Sequence, residues 1–134
     1  MSEKSFDANK LVEFWVESSD EDYEAMLVLN ESHKFGWTLF IGHLTIEKLL
    51  KAYFVWSKKN YPPLTHNLLR LAESSDLQLD FDKKESLATI TTFNINTRYD
   101  DYKMSFKQKA DKEFTEKWVD EIKKIRSWIK EQLK

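Results

Sequence analysis

Cysteine is absent from this chain, which excludes a disulfide framework, a thiolate metal site and a cysteine nucleophile, and suits a reducing compartment. Only two Gly and two Pro occur in 134 residues, so there is little material for hairpins and bulges and a few long helices are favoured over many short strands. The same shortage rules out a phosphate-cradling glycine loop, a dinucleotide fingerprint and the nucleophile elbow of Ser-His-Asp hydrolases. No uncharged apolar run reaches the roughly 18 residues that a membrane span needs, and the N-terminal MSEKSFDANK has no apolar signal region. A soluble, cytoplasmic, unexported protein without a membrane partner is therefore expected.

What is present is globular. Hydrophobic residues make up 41%, aromatics 14% and charged residues 33%, a composition able to offset the entropy of ordering a core. The length suits one domain covering residues 1–134. A formal net charge of −2 argues against a dominant nucleic-acid field. The charge is unevenly spread: residues 1–33 carry two Lys against nine Asp/Glu, whereas residues 103–134 carry ten Lys/Arg against six Asp/Glu. Two readings follow, a pair of oppositely charged helices lying side by side or a basic C-terminal face for phosphate.

The stretch Phe35 to Trp56 is apolar on every side of the helix it forms, as expected for the buried central rod of an all-α, up-and-down helical bundle of four to five main helices. Within it His43, Glu47 and Lys51 recur at i, i+4 and i+8 and make one polar stripe beside Phe40, Leu50 and Phe54. The stripe either lines a site or is a paired structural feature. The other helices are expected as follows. Residues 7–17 carry Leu11, Phe14 and Trp15 at helical spacing, and Ser18 with Glu21 at the capping-box position opens a second segment running to about Ser32. Gly36 marks the join to the central helix, which ends near Lys58 to Asn60 before Tyr61-Pro62-Pro63. Thr65 caps a helix to Glu73, and Asp82 opens another that loosens at Asn94, Asn96 and Thr97. The most amphipathic helix runs from about Lys112 to Gln132, with Phe114, Trp118, Ile122, Ile125, Ile129 and Leu133 on one face.

Chemistry-bearing residues are few. His43 and Glu47 have a spacing that can bring two ligands together, but no second ligand pair accompanies them, and neither metal nor cofactor is expected. His66 falls at the first turn of a helix, where unpaired N–H groups favour an anion; it is either a binding group or a histidine fixed by the preceding loop. Arg98, Tyr99, Asp100, Asp101 and Tyr102 put a guanidinium, two phenols and two carboxylates together. Arg98 suits bidentate phosphate binding or a structural pair with Asp100, Asp101 or Glu47.

Several of these stretches together resemble a known family. They are Trp15, Asp22 and Ala25; Glu47, Lys48, Lys51 and Ala52; the run Pro63-Leu64-Thr65-His66-Asn67-Leu68; and Thr97-Arg98-Tyr99. In order and spacing they are similar to the HEPN domain of prokaryotic proteins, from about Trp15 to Leu133. The resemblance implies a helical bundle that is usually a homodimer. It also implies association with nucleotidyltransferase-domain proteins encoded nearby, often as toxin and antitoxin, or the binding of a nucleotide or RNA.

Many HEPN proteins are metal-independent ribonucleases with an Arg-x(4-6)-His motif. Here the departure is plain, because the positions that follow Arg98 at that spacing are Lys103, Met104 and Ser105. An imidazole trades protons near neutral pH, and lysine is a poor substitute unless buried. The Arg-Tyr-Asp form is similar to the nucleotide-binding or accessory branch of the family. The expectation is therefore a non-catalytic binding protein whose ligand meets His43, Glu47, Lys51, His66, Arg98, Tyr99 and Tyr102. Its rival is a divergent ribonuclease in which His43 or His66 supplies the missing imidazole.

Overall fold

A computed structural model describes residues 6–98 and 106–134, the side chains of 95–98 excepted. Among the described residues the chain forms five helices: α1 (Ala8–Glu31), α2 (Phe35–Lys58), α3 (Leu68–Ser74), α4 (Phe81–Arg98) and α5 (Lys112–Gln132). A further helical turn covers 106–109, and no strand occurs among the described residues. The fold is an all-α bundle, as the scarcity of Gly and Pro implies.

α1 is one continuous helix, where the capping signal at Ser18 predicts two. Asp7 is its real cap, accepting from Lys10 N at 3.1 Å. Ser19 is fully buried and donates its hydroxyl to the Thr45 carbonyl at 2.7 Å, so a partner on α2 satisfies a polar group in the stretch that resembles a helix start. The turn from α1 to α2 is made by His33, whose φ of 59° places it in the left-handed region. Gly36, expected at this join, lies inside the first turn of α2.

α2 is the central rod, with Leu39, Ile46, Leu49, Leu50, Ala52 and Val55 all fully buried. It packs against α1, α3, α4 and α5. Lys59, with φ 55°, closes the helix, and its N–H returns to the Val55 carbonyl. Gly42 marks the tightest crossing: a Cβ there would sit 2.6 Å from Ile122 Cδ1 and 3.1 Å from Met26 Sδ. Those neighbours belong to α5 and α1, so one missing side chain lets three helices close on a point.

α3 starts at Leu68 rather than at Thr65, because Asn67 is the capping residue and accepts from Arg70 N at 3.1 Å. α4 starts one residue before the expected Asp82, held by Asp80, which accepts from Lys83 N at 2.8 Å. It runs without loosening through Asn94 to Arg98. α5 has the expected bounds, and Asp111 caps it by accepting from Phe114 N at 2.8 Å. Its apolar face buries Ile122, Ile125 and Ile129, and Phe114 and Trp118 gather around Phe93 of α4.

The acidic N-terminal third and the basic C-terminal helix do lie side by side. Asp20 of α1 accepts from Arg126 Nη2 at 3.0 Å and pairs with Lys130 Nζ at 2.7 Å, while the Arg126 guanidinium stacks 3.8 Å from the Tyr23 ring centroid. Burial alone would raise the Asp20 pKa, but hydrogen bonds and charge from Lys130 and Arg126 outweigh it and hold the carboxyl below its usual range.

Candidate functional site

The polar stripe of α2 is real and mostly buried. His43 is fully buried, and Glu47 and Lys51 are buried as well, all on the face that meets α1 and the loop leading to α3. Glu47 is the hub. Its Oε2 takes the Lys51 ammonium at 3.0 Å and its Oε1 accepts from His66 Nδ1 at 2.9 Å. Lys51 is further held by the Trp15 ring of α1, whose centroid lies 5.1 Å from Nζ. Two cationic or hydrogen-bonding partners thus compensate a carboxylate that would be costly to bury alone.

His43 works on the backbone instead. Its Nε2 lies 2.9 Å from the His66 carbonyl oxygen, and because a carbonyl only accepts, Nε2 carries the proton. The distance from the same nitrogen to Glu47 Oε1, 3.8 Å, is too long for a hydrogen bond. His66 is therefore gripped twice, at its carbonyl by His43 and at its ring by Glu47. The two imidazoles stand 6.5 Å apart, centroid to centroid.

The loop supplying His66 is stiffened locally. Pro62 and Pro63 fix φ, Thr65 N bonds back to the Pro63 carbonyl at 3.1 Å, and Thr65 Oγ1 accepts from Asn67 N at 3.2 Å. Leu68 N then donates to Thr91 Oγ1 of α4 at 3.1 Å, and that hydroxyl in turn donates to the Leu87 carbonyl at 2.8 Å. The helix end beside His66 is thus tied to α4 by a side chain, which uses one of the donors that could have met an anion.

With Nδ1 committed to Glu47, Nε2 is the ring nitrogen of His66 left over. Its side chain is 51% exposed, and Nε2 has no hydrogen-bond partner among the described residues. The structure thus brings His43, Glu47, Lys51 and His66 into one connected network. Lys51, expected to offer charge to a ligand, aims its ammonium at Glu47 and Trp15. The Arg98 side chain, Tyr99 and Tyr102 lie outside the described residues.

Sequence reasoning did not place Trp15 or Thr91 at this network. Neither has a spacing relation to the stripe, since each arrives from another helix, and only the pairing of an interior Trp with a buried Lys hints at the first. The Asp22–Lys48 ion pair, at 2.8 Å, fastens α1 to α2 alongside. Among the described residues no group of three or more His, Asp or Glu side chains is placed to hold a metal ion. No helix among them is long and apolar enough to cross a membrane.

Comparison with known proteins agrees with this architecture. A model of the HEPN domain matches residues 12–132. The crystal structure of TT1696 from Thermus thermophilus superposes with a TM-score of 0.76 at 18% identity, covering 90% of this chain and 96% of that one, a likeness of fold. No match was found among curated proteins.

Proposed function

The chain belongs to the HEPN domain family, and from that premise we propose that it is a non-catalytic binding module that meets a nucleotide or an RNA phosphate at the Nε2 edge of His66. The observation that carries this reading is the double grip on His66: a half-exposed imidazole is held at carbonyl and ring by two buried residues of the central helix, with Nε2 bonded to none of the described residues. A side chain needed only for packing does not require such fixing, whereas a recognition group gains affinity from being ordered in advance. Lys51 serves by pairing with Glu47 Oε2, which holds the carboxylate where its other oxygen accepts from His66 Nδ1. Arg98, Tyr99 and Tyr102 complete the proposal as phosphate and base contacts contributed from the end of α4 and beyond.

The absence of histidine after His66 supports a role without RNA cleavage, because the family's ribonuclease motif has no imidazole at its second position here. The module acts as a single cytoplasmic domain and as a homodimer, with a nucleotidyltransferase-domain protein as the partner in a toxin-antitoxin pair. Exposed Phe14, Trp56, Tyr61, Leu64 and Phe81 offer apolar area for such contacts.

A thermal-shift screen against ATP, GTP, CTP, UTP, cyclic nucleotides and short RNA tests the reading. A ligand at about a hundredfold over its Kd adds roughly 2.7 kcal/mol, and the part of the shift that the His66 site contributes is lost in His66→Ala and in Arg98→Ala. No shift with any of these ligands removes the phosphate-binding role and leaves a protein partner.

One observation favours a second reading. Glu47 Oε1 on His66 Nδ1 is the carboxylate–imidazole pairing that lets the far nitrogen act as a base. A divergent ribonuclease built on it cleaves RNA in the presence of EDTA, and loses that activity in His66→Ala while the fold is kept.

A further inference from the structure

We propose a second ligand site, at the turn between α1 and α2, that takes a planar aromatic ring carrying a phosphate. It goes beyond the reading at His66 and does not depend on it. A concavity of about 460 Å³ lies there, of the size that small-molecule sites typically have, and it is walled by two segments far apart in sequence. His33, Lys34, Phe35 and Trp37 form one wall, and Phe106 and Lys107 the other.

Two properties of the lining specify the ligand. The first is charge. Every ionisable residue among the described ones lining the pocket is basic, in a protein of net charge −2. Neither Lys34 nor Lys107 has a carboxylate within ion-pairing distance among the described residues, whereas Lys48, Lys51, Lys58, Lys83 and Lys130 all do. The backbone acts in the same sense: no side chain caps the start of α2, and its first turn has no acidic residue, so among the described residues nothing competes with an anion between the two lysines.

The second property is aromaticity. Trp37 leaves 51% of its surface in water although Phe40 is its edge-on neighbour, at 6.0 Å between centroids. The His33 ring lies over Phe35 at 5.4 Å, tilted by 33°. An exposed indole beside lysines that meet no carboxylate among the described residues suits a flat anion, which stacks on the ring while its charge meets the ammonium groups. A free inorganic anion would use half of the site, and so would an uncharged ring.

Titration calorimetry of the full chain with AMP, adenosine and inorganic phosphate tests this. AMP is expected to bind at least about tenfold tighter than adenosine or phosphate, and Lys107→Ala and Trp37→Ala are each expected to weaken AMP by about tenfold or more. Both substitutions are at exposed positions and leave the core intact. His66→Ala is expected to retain the AMP binding that Lys107→Ala and Trp37→Ala weaken. The proposal is overturned if AMP gives no binding heat at millimolar concentration, if adenosine or phosphate binds as well as AMP, or if AMP binding survives Lys107→Ala and Trp37→Ala. Loss of AMP binding in His66→Ala with retention in Lys107→Ala assigns the nucleotide to the His66 site and also overturns it.

Discussion

Glu47 and His66, 19 residues apart in the chain, meet through a 2.9 Å hydrogen bond between Oε1 and Nδ1, so one buried carboxylate sets the pose of the only exposed ring in the network. Glu47 is also the sole anion that the Lys51 ammonium meets among the described residues. Glu47→Ala is therefore expected to cost about 3–5 kcal/mol in urea unfolding, since it strands a buried ammonium. Glu47→Gln combined with Lys51→Met is expected to cost less than Glu47→Ala, because no uncompensated charge remains. Strict additivity of the two changes would show that the residues are not coupled.

The Asp20 carboxyl is held below its usual pKa of 3.8: burial opposes this, and the hydrogen bonds and charges of Lys130 and Arg126 prevail. A depressed carboxylate contributes stability above its unfolded pKa and loses it as pH falls through the folded one. Asp20→Asn is expected to lower stability at neutral pH by at most about 1 kcal/mol, because the pair is partly exposed and screened. The difference should shrink below pH 3.8 and in high salt, as followed by thermal unfolding across pH. A gap that widens in acid would reverse the sign of the linkage.

Lys59 ends α2 at φ 55°, a backbone region in which a Cβ is strained. Lys59→Gly should raise stability by about 0.5–1 kcal/mol, less the exposed contacts that Lys59 makes with Trp56. Chemical denaturation with an unchanged slope and a higher midpoint is the expected result.

At Gly42 the space is taken by Ile122 and Met26. Gly42→Leu is expected to cost about 3 kcal/mol or more through overpacking. Gly42→Ala is milder, since better helix propensity offsets a small movement of the Ile122 tip, and adding Ile122→Val should recover what it loses. Equal stability of the Leu and wild-type proteins would mean that α5 does not press on this point.

The helical class, the central rod and the bounds of α5 were legible because each rests on periodicity over several turns, and α5 repeats its apolar face from Phe114 to Leu133. The expected break at Ser18 was wrong because capping chemistry is local, whereas Ser19 is satisfied by the Thr45 carbonyl on a different helix. Spacing placed His43, Glu47 and Lys51 on one stripe. It did not show that the stripe grips His66, since that depends on the path of a loop between two helices. Thr91 was hidden for the same reason: a threonine in a helix looks like any other until the N–H it receives, that of Leu68, is seen.

The bond between Asp20 and Arg126 joins residues 106 apart in the chain, whereas α1 and α2 are a hairpin of neighbours. A polypeptide synthesised from its N-terminus can thus close α1 on α2 early, as local contacts are the first that chain entropy permits. The groove at Gly42 stays open until α5 has been made and arrives to fill it. Until α5 arrives, the hairpin of α1 and α2 therefore presents an apolar cleft at Gly42 and an unanswered Asp20 carboxylate, and the basic helix covers both together.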